Sequence, residues 1–159
     1  MTGPPAEITH LAEAPVEQYL TYRLSRVHAK LTQQASALLH EAAGLSLVAW
    51  RLLAILERNG PATITEANRD ARMDKGQVSR AVARMLADGL LSSTARDSDH
   101  RQHVLGLTDK GRALYDKAAP AMHARRRHLL GHFTPDELGA FLHGLDLLDA
   151  ASEKRDFCE

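Results

Sequence analysis

Residues 63–111 most strongly limit what this chain can fold into, because they predict two short helices followed at once by a charged β-hairpin. Thr65 can cap the first helix, since its hydroxyl can accept a hydrogen bond from an unpaired backbone N–H. Asp74, followed by Gln77, approximates a capping box for the second helix. Gly89 suits the residue after that helix. The expected architecture is a helix-turn-helix with a wing.

The second of these helices, predicted over residues 75–88, has two chemically different faces. Its apolar residues recur at helical spacing and should face the core. They are Val78, Val82, Met85 and Leu86. The rest of the helix carries basic, amide and hydroxyl side chains, and no acidic residue occurs between 75 and 85. Because arginine pairs with guanine and glutamine with adenine, this face is predicted to enter the major groove of duplex DNA.

Individual roles follow from side-chain chemistry. The expected base contacts come from Gln77, Ser79 and Arg80. The expected phosphate contacts come from Thr65, Lys75 and Arg84. Gly76, in the first turn of the same helix, completes the predicted DNA-binding set on this element.

A wing is predicted from strands over residues 90–96 and 102–107, joined by turn-forming Asp and Ser residues. Arg101 is then near the hairpin tip, where Asp97 or Asp99 could brace it by a charge-assisted hydrogen bond. A fixed arginine there suits the narrow, electronegative minor groove. The predicted DNA-binding residues of the wing are Arg96, Asp99 and Arg101. Thr108 is expected to cap the next helix, with Lys110 and Gly111 in its first turn.

These residues resemble a known family. Arg96-Asp97-Ser98-Asp99-His100-Arg101, with Leu105, Leu107-Thr108 and Gly111, is similar to the wing signature of the multiple-antibiotic-resistance regulator (MarR) family. Leu45-Ser46 with Trp50-Arg51-Leu52-Leu53 resembles its lead-in helix, and Thr134-Pro135-Asp136-Glu137-Leu138 resembles the start of its last helix. The resemblance covers roughly residues 15 to 150. The sequence departs from the family pattern at Asn68, Arg69, Arg72 and Gly76.

The resemblance implies a repressor that a small molecule, aromatic or anionic, releases from DNA. It also implies a ligand pocket where the first two helices meet the DNA-reading lobe. The candidate lining residues are His28, Trp50 and Arg51. Each has an ordinary alternative: a core position for Trp50, an ion pair for Arg51 and simple exposure for His28.

The flanking segments predict long helices. Pro15 can open the first helix, which keeps one face apolar from Val16 to about Ala43, where Gly44 ends it. Ser46 is expected to cap a second helix to Arg58. A further helix over 108–130 should be interrupted or bent near Ala119-Pro120. Thr134 is expected to cap the last helix.

The first and last helices carry more apolar surface than one small winged domain can cover. We therefore expect a homodimer built from both ends of the chain, with a purely intramolecular helical cap as the alternative. Two-fold symmetry also matches palindromic half-sites.

The predicted fold class is mainly α with a small β-wing, a winged helix-turn-helix flanked by N- and C-terminal dimerisation helices. Residues 1–14 are expected to be a disordered N-terminal segment, 45–111 the DNA-binding domain, and 15–44 with 112–155 the dimerisation region. The chain has 20 basic and 20 acidic residues, which argues against a general polyanion binder but not against a specific one.

Three features of the sequence indicate the cellular compartment. The single cysteine, Cys158, allows no internal disulfide, which is typical of a reducing cytoplasm. Residues 1–14 lack the pattern of a signal peptide. The apolar stretch 45–56 is interrupted by Arg51 and too short to span a membrane, so no membrane association is expected.

Other chemistries have weaker support. His128 and His132 could share a helix face, with His123 nearby and His100 and His103 in the wing, but no Cys-x-x-Cys or His-Glu-x-x-His pattern occurs. No cofactor or metal is expected, although a metal-responsive regulator stays an alternative. The absence of nucleophile-elbow, P-loop and dinucleotide motifs predicts that the chain is not an enzyme.

A winged-helix module that binds protein rather than DNA is the other alternative. The basic, acid-free face of the second short helix and Arg101 favour DNA. Arg125-Arg126-Arg127 is interpreted as a solvated helix face. The sequence therefore predicts a DNA-binding transcriptional regulator, a repressor that binds a palindromic operator as a homodimer and is released by a small molecule.

Overall fold

A computed structural model of the chain describes residues 15–71, 73–96 and 99–153. A 3₁₀ turn at Val16–Gln18 precedes the regular elements. These are α1 (Leu20–Ala43), α2 (Leu47–Asn59), β1 (Ala62–Thr63), α3 (Ile64–Ala71), α4 (Lys75–Ala87), β2 (Leu91–Arg96), β3 (Asp99–Leu107), α5 (Asp109–Leu130) and α6 (Pro135–Ser152). The predicted class, mainly α with a small β-wing, is confirmed. Residues 1–14, Arg72, Asp97 and Cys158 lie outside the described residues.

The chain divides into two compact units after Pro120. The first contains α1 to α4, the sheet and the start of α5. The second contains the end of α5 and α6. The assignment of DNA binding to 45–111 and of dimerisation to 15–44 and 112–155 concerns function, and it stays a prediction.

The sheet is antiparallel and has the strand order β1-β3-β2. Thr63 of β1 pairs with Val104, and Leu91 pairs with Leu107 at the base of the hairpin. The pairing register shifts between Ala95 and Arg96. The two predicted hairpin strands are confirmed, with β3 beginning at Asp99 instead of residue 102. The short strand β1 is not predicted by the sequence pattern, because two residues carry no periodicity.

The core of the first unit is built around α2, which packs against α1, α3 and α4. The largest fully buried side chains are Leu39, Leu52, Leu53, Val78 and Val82. Each such burial contributes about 1.5–3 kcal/mol. The predicted core face of α4 is confirmed for Val78, Val82 and Met85, while Leu86 is half-buried. This packing fixes which face of α4 is turned to solvent.

Four predicted helix caps are confirmed, one of them Thr108, whose hydroxyl accepts from the Gly111 N–H at 3.0 Å. The Ser46 hydroxyl accepts from the Ala49 N–H at 3.2 Å, and the Asp74 carboxylate accepts from the Gln77 N–H at 2.9 Å. Thr134 forms a capping box with Glu137. Hydrogen bonds from the Thr134 backbone N–H and hydroxyl hold the pKa of the Glu137 carboxyl below its ordinary value.

The predicted cap at Thr65 is wrong, because the cap of α3 is Thr63. The Thr63 hydroxyl oxygen accepts from the Glu66 N–H at 3.2 Å, and the Glu66 carboxylate accepts from the Thr63 N–H at 2.7 Å. This reciprocal pair is a capping box. Thr63 is held extended by its pairing in β1, so Glu66 falls three residues into the helix at the position that can reach back. Thr65 is an exposed residue inside α3.

Two predicted helix boundaries also change. The first long helix does not begin at Pro15, because Tyr19 is extended (φ −60°, ψ 133°) and separates the 3₁₀ turn from α1. Gly44 ends α1 as predicted, with φ 66°. An interruption at Ala119-Pro120 does not occur. Pro120 lies inside α5, since a proline removes only one helical hydrogen bond and the residues on either side keep theirs.

Among the described residues, no individual helix has both the length and the apolar character needed to cross a membrane. In the same described part of the chain, α1 and α2 taken together, with a 75° bend between them, meet that test of length and composition.

Candidate nucleic-acid interface

Helix α4 presents a polar surface to solvent. The predicted contact residues on this surface are all exposed: Lys75, Gln77, Ser79, Arg80 and Arg84. Val78, Val82 and Met85 are buried on the opposite side. No residue of α4 carries a negative charge. The helix therefore offers cationic, amide and hydroxyl groups together on one solvent-facing surface, which suits the donor and acceptor pattern of a DNA major groove.

Helix α3 precedes α4 in the helix-turn-helix and is fixed in place by a buried residue and by its cap. Ala67 is fully buried, and the Thr63–Glu66 capping box fixes the start of the helix. The predicted phosphate contact Thr65 is exposed on this helix. The structure thus brings the side chains predicted on α3 and α4 to the surface, and it leaves none of them in the core.

Thr108 joins the wing to the helices on both sides. Its hydroxyl donates to the carbonyl oxygens of Gly89 and Leu90 at 2.8 and 3.1 Å, and it accepts from the Gly111 N–H at 3.0 Å. The Lys110 ammonium donates to the Asp88 carbonyl at 2.7 Å. These bonds connect the end of α4, the entry to β2 and the first turn of α5. They fix the direction in which the hairpin leaves the domain.

The hairpin carries cross-strand side-chain bonds. The Ser93 hydroxyl and His103 Nδ1 are 3.2 Å apart, which links β2 to β3 on the exposed face. The backbones of Arg96, Asp99 and Arg101 lie in these strands, at the end distant from α5. The side chains of these three residues lie outside the described part. Their predicted DNA contacts therefore stay predictions.

A cavity of about 650 Å³ lies along α2 and the end of α3. Its lining residues are Trp50, Arg51, Ala54, Ile55, Arg58, Asn59 and Ala71. Two of the predicted ligand-contact residues are therefore at one cavity. His28 is exposed on α1 and is not among the lining residues. Arg58 and Asn59 were missed by the sequence analysis, although helical spacing places Arg58 on the face of Arg51.

Trp50 occupies a core position, while its predicted contact with a ligand stays a prediction. It is a core residue with 8% of its surface exposed, and it also lines the cavity. Its ring stacks on Tyr115 of α5, with centroids 5.0 Å apart and planes 6° from parallel. Next to this stack, Arg112 forms an ion pair with Glu57 at 2.6 Å. The wall of the cavity is thereby attached to the helix that follows the wing.

Histidines of the second unit form one aromatic contact. The rings of His128 and His132 meet edge to face with centroids 4.9 Å apart. In the part of the chain that the structure describes, no three His, Cys, Asp or Glu residues lie close enough together to hold a metal ion.

Comparison with known proteins identifies the family. A model described as MarR family matches residues 43–102, which run from the end of α1 into β3. The crystal structure of a MarR-family transcriptional regulator from Silicibacter pomeroyi is 31% identical. The alignment covers 92% of this chain and 98% of that one, with a TM-score of 0.68. The chain belongs to the MarR family.

Two further proteins are similar to this chain, one in sequence and one in fold. The HTH-type transcriptional repressor IacR of Pseudomonas putida is 33% identical over 95 residues, 60% of this chain. The match spans 56% of that repressor's length. A MarR-family regulator from Streptomyces coelicolor, solved in complex with DNA, is 23% identical and has a TM-score of 0.74, with 91% of this chain and 93% of that chain covered. All three of these relatives are named as transcriptional regulators or repressors.

Proposed function

We propose that this MarR-family chain is a transcriptional repressor that binds a palindromic operator as a homodimer and leaves it when a small molecule binds. The observation that carries the DNA-binding part is the outward face of α4, where five polar side chains without a negative charge are exposed above a buried apolar face. The Streptomyces relative, which has a similar fold and was solved in complex with DNA, supports DNA binding by this chain.

Different residues on the outward face of α4 are suited to reading the DNA sequence and to binding phosphates. Arg80 and Gln77 have the donors that read guanine and adenine in the major groove. Lys75 and Arg84 are suited to phosphates, whose contacts give affinity that falls as salt rises. Arg101 near the wing tip would reach the minor groove. Binding should therefore be both sequence-specific and salt-dependent.

We expect Arg80→Ala and Arg101→Ala each to weaken operator binding about 10- to 100-fold, because a good arginine contact to a base contributes about 1–3 kcal/mol. The measurement is fluorescence anisotropy with a labelled duplex from the region upstream of the protein's own gene, across a salt series. Circular dichroism of Arg80→Ala should match that of the wild type, since the Arg80 side chain is exposed. The same measurement on Arg101→Ala checks that a loss of binding does not come from a changed fold.

Arg126→Ala is the matched control, because Arg126 is an exposed arginine far along α5. Its affinity for the duplex should stay within about twofold of the wild type, because Arg126 is not among the residues expected to contact DNA and a single exposed charge contributes about 0–1 kcal/mol. Equal binding to the upstream duplex and to random DNA, unchanged by Arg80→Ala or Arg101→Ala, would contradict specific recognition of that duplex.

The homodimer is supported by uncovered apolar residues at both ends of the chain. In α1, Leu20 and Val27 are each 53% exposed, and only Ala35 and Leu39 are buried. In α6, none of the residues is buried. A helix with apolar residues on most of its faces is stable only when another surface covers it. We infer that a second copy of the chain covers both segments, as in a two-fold symmetric dimer.

The effector is inferred from the cavity on α2. Arg51 and Arg58 place two permanent positive charges at its wall, and Trp50 and Ile55 supply apolar surface. Guanidinium groups bind carboxylates in a bidentate manner, and an indole packs against an aromatic ring. We infer that the effector is a small aromatic anion. It would act by shifting the population of dimers toward a spacing of the α4 helices that does not fit the operator.

We expect benzoate to quench or shift the fluorescence of Trp50, the single tryptophan of the chain, and the uncharged isostere benzamide to have little effect. Arg58→Ala should weaken benzoate binding about 10- to 100-fold, since a hydrogen bond to a charged group contributes about 1.5–3 kcal/mol. Arg23→Ala is the control, because that arginine is exposed on α1 and does not line the cavity. Equal responses to benzoate and benzamide would exclude recognition of the charge.

A further inference from the structure

Gly76 and Arg80 are stacked on the same side of the first turns of α4. Residues four apart lie one above the other on a helix, and long side chains lean toward the N-terminus. A Cβ atom placed on Gly76 would lie 3.2 Å from Nη1 and 3.9 Å from Cζ of Arg80. The guanidinium therefore rests over the position where residue 76 has no side chain.

Asp74 limits the same space from the other side. Its Oδ1 would be 3.2 Å from that Cβ atom, and the same oxygen accepts the hydrogen bond from the Gln77 N–H that caps α4. The carboxylate cannot move aside without weakening this cap. A side chain at 76 would thus displace the flexible end of Arg80 and not the capping residue.

We propose that Gly76 is a positioning residue for DNA recognition, which allows the Arg80 guanidinium to lie against the N-terminal turn of α4 and pair from there with a guanine. The proposal rests on the DNA-binding function proposed above. In helix-turn-helix proteins the N-terminal residues of the recognition helix contact the base edges. A bidentate bond to guanine O6 and N7 requires a defined guanidinium plane, and a methyl group at 76 would shift the guanidinium that now lies over this position.

The proposal predicts that the effect of substituting Gly76 on DNA affinity depends on the presence of the Arg80 side chain. Gly76→Ala should weaken specific binding about tenfold, a typical value for one arginine–guanine contact. Alanine is a better helix former than glycine, so this loss cannot come from a weaker helix. In a chain that already carries Arg80→Ala, the same substitution should change affinity less than about twofold, because the group it displaces is gone.

The test is a double-mutant cycle on the full chain by fluorescence anisotropy. The probe is the duplex that the wild type enriches from a random-sequence library. Gly76→Ala is combined in turn with Arg80→Ala and with Arg84→Ala, the latter as a control because Arg84 is an exposed arginine on the same helix that does not contact residue 76. The tenfold loss should persist with Arg84→Ala and disappear with Arg80→Ala.

A second measurement identifies the guanine that Arg80 contacts. Each guanine of the duplex is replaced in turn by 7-deazaguanine, which lacks the N7 acceptor. The wild type should lose affinity at one guanine where Gly76→Ala no longer does. An equal loss in all three backgrounds, or no loss from Gly76→Ala while Arg80→Ala binds weakly, would overturn the proposal and leave DNA binding intact. A wild type that enriches no duplex would overturn the proposed function and this inference with it.

Discussion

Gly111→Ala should destabilise the protein by about 3 kcal/mol or more, a cost at the upper end of those measured for overpacking. A Cβ atom on Gly111 would overlap the Leu90 carbonyl oxygen and come within 3.1 Å of its carbonyl carbon. Both atoms belong to the backbone, so no side-chain rotation relieves the overlap. The Leu90 carbonyl also accepts from the Thr108 hydroxyl and N–H. The substitution therefore separates α5 from the entry to the wing.

The measurement for Gly111→Ala is urea unfolding followed by circular dichroism and by the fluorescence of Trp50. Gly139→Ala is the control, because the same methyl group there meets nothing within 4 Å of its own chain. That variant should be as stable as the wild type or more so, by up to about 1 kcal/mol. A free energy of unfolding for Gly111→Ala within about 0.5 kcal/mol of the wild type, a typical surface effect, would contradict the close contact.

The helix caps that the sequence predicted correctly depend only on residues close together in the sequence. Asp74, Ser46 and Thr134 cap helices because each hydroxyl or carboxylate reaches an N–H three residues on, and this depends on nothing distant. Thr63 could not be found in the same way. It caps α3 because its backbone pairs with Val104, a residue far along the chain. The extended geometry that makes it a cap comes from that pairing and not from its neighbours in sequence.

For the candidate nucleic-acid interface, the sequence predicted which face of α4 is exposed, but it did not predict the contacts between individual side chains. The spacing of Val78, Val82 and Met85 determines which side of α4 is buried, and thereby exposes Gln77, Arg80 and Arg84. The sequence does not determine that the Arg80 side chain folds back over Gly76, because several rotamers of an exposed arginine are similar in energy. For the cavity, Trp50 and Arg51 were predicted, but Ala71 is added by the packing of α3 on α2.

Replacing Leu142 and Leu147 together by glutamate should convert the protein from a dimer to a monomer. The two side chains are 51% and 58% exposed in the single chain, so on that chain alone the change should alter stability only slightly. If the second copy covers α6, as proposed, the same change places two carboxylates without partners in an apolar interface. Burying each unpaired charge costs several kcal/mol, which exceeds the stabilisation that one apolar side chain of α6 contributes to the interface.

Dissociation should also remove operator affinity. A dimer binds its second half-site at a high effective concentration, which contributes about 10²–10⁴ in affinity, and a monomer loses this. Analytical ultracentrifugation and anisotropy on the same samples test both consequences. His143→Glu is the matched control, because it adds the same carboxylate at a residue that is already polar and exposed on α6. A dimeric double variant with full operator affinity would mean that α6 lies outside the dimer interface, and α1 would then be the segment to substitute.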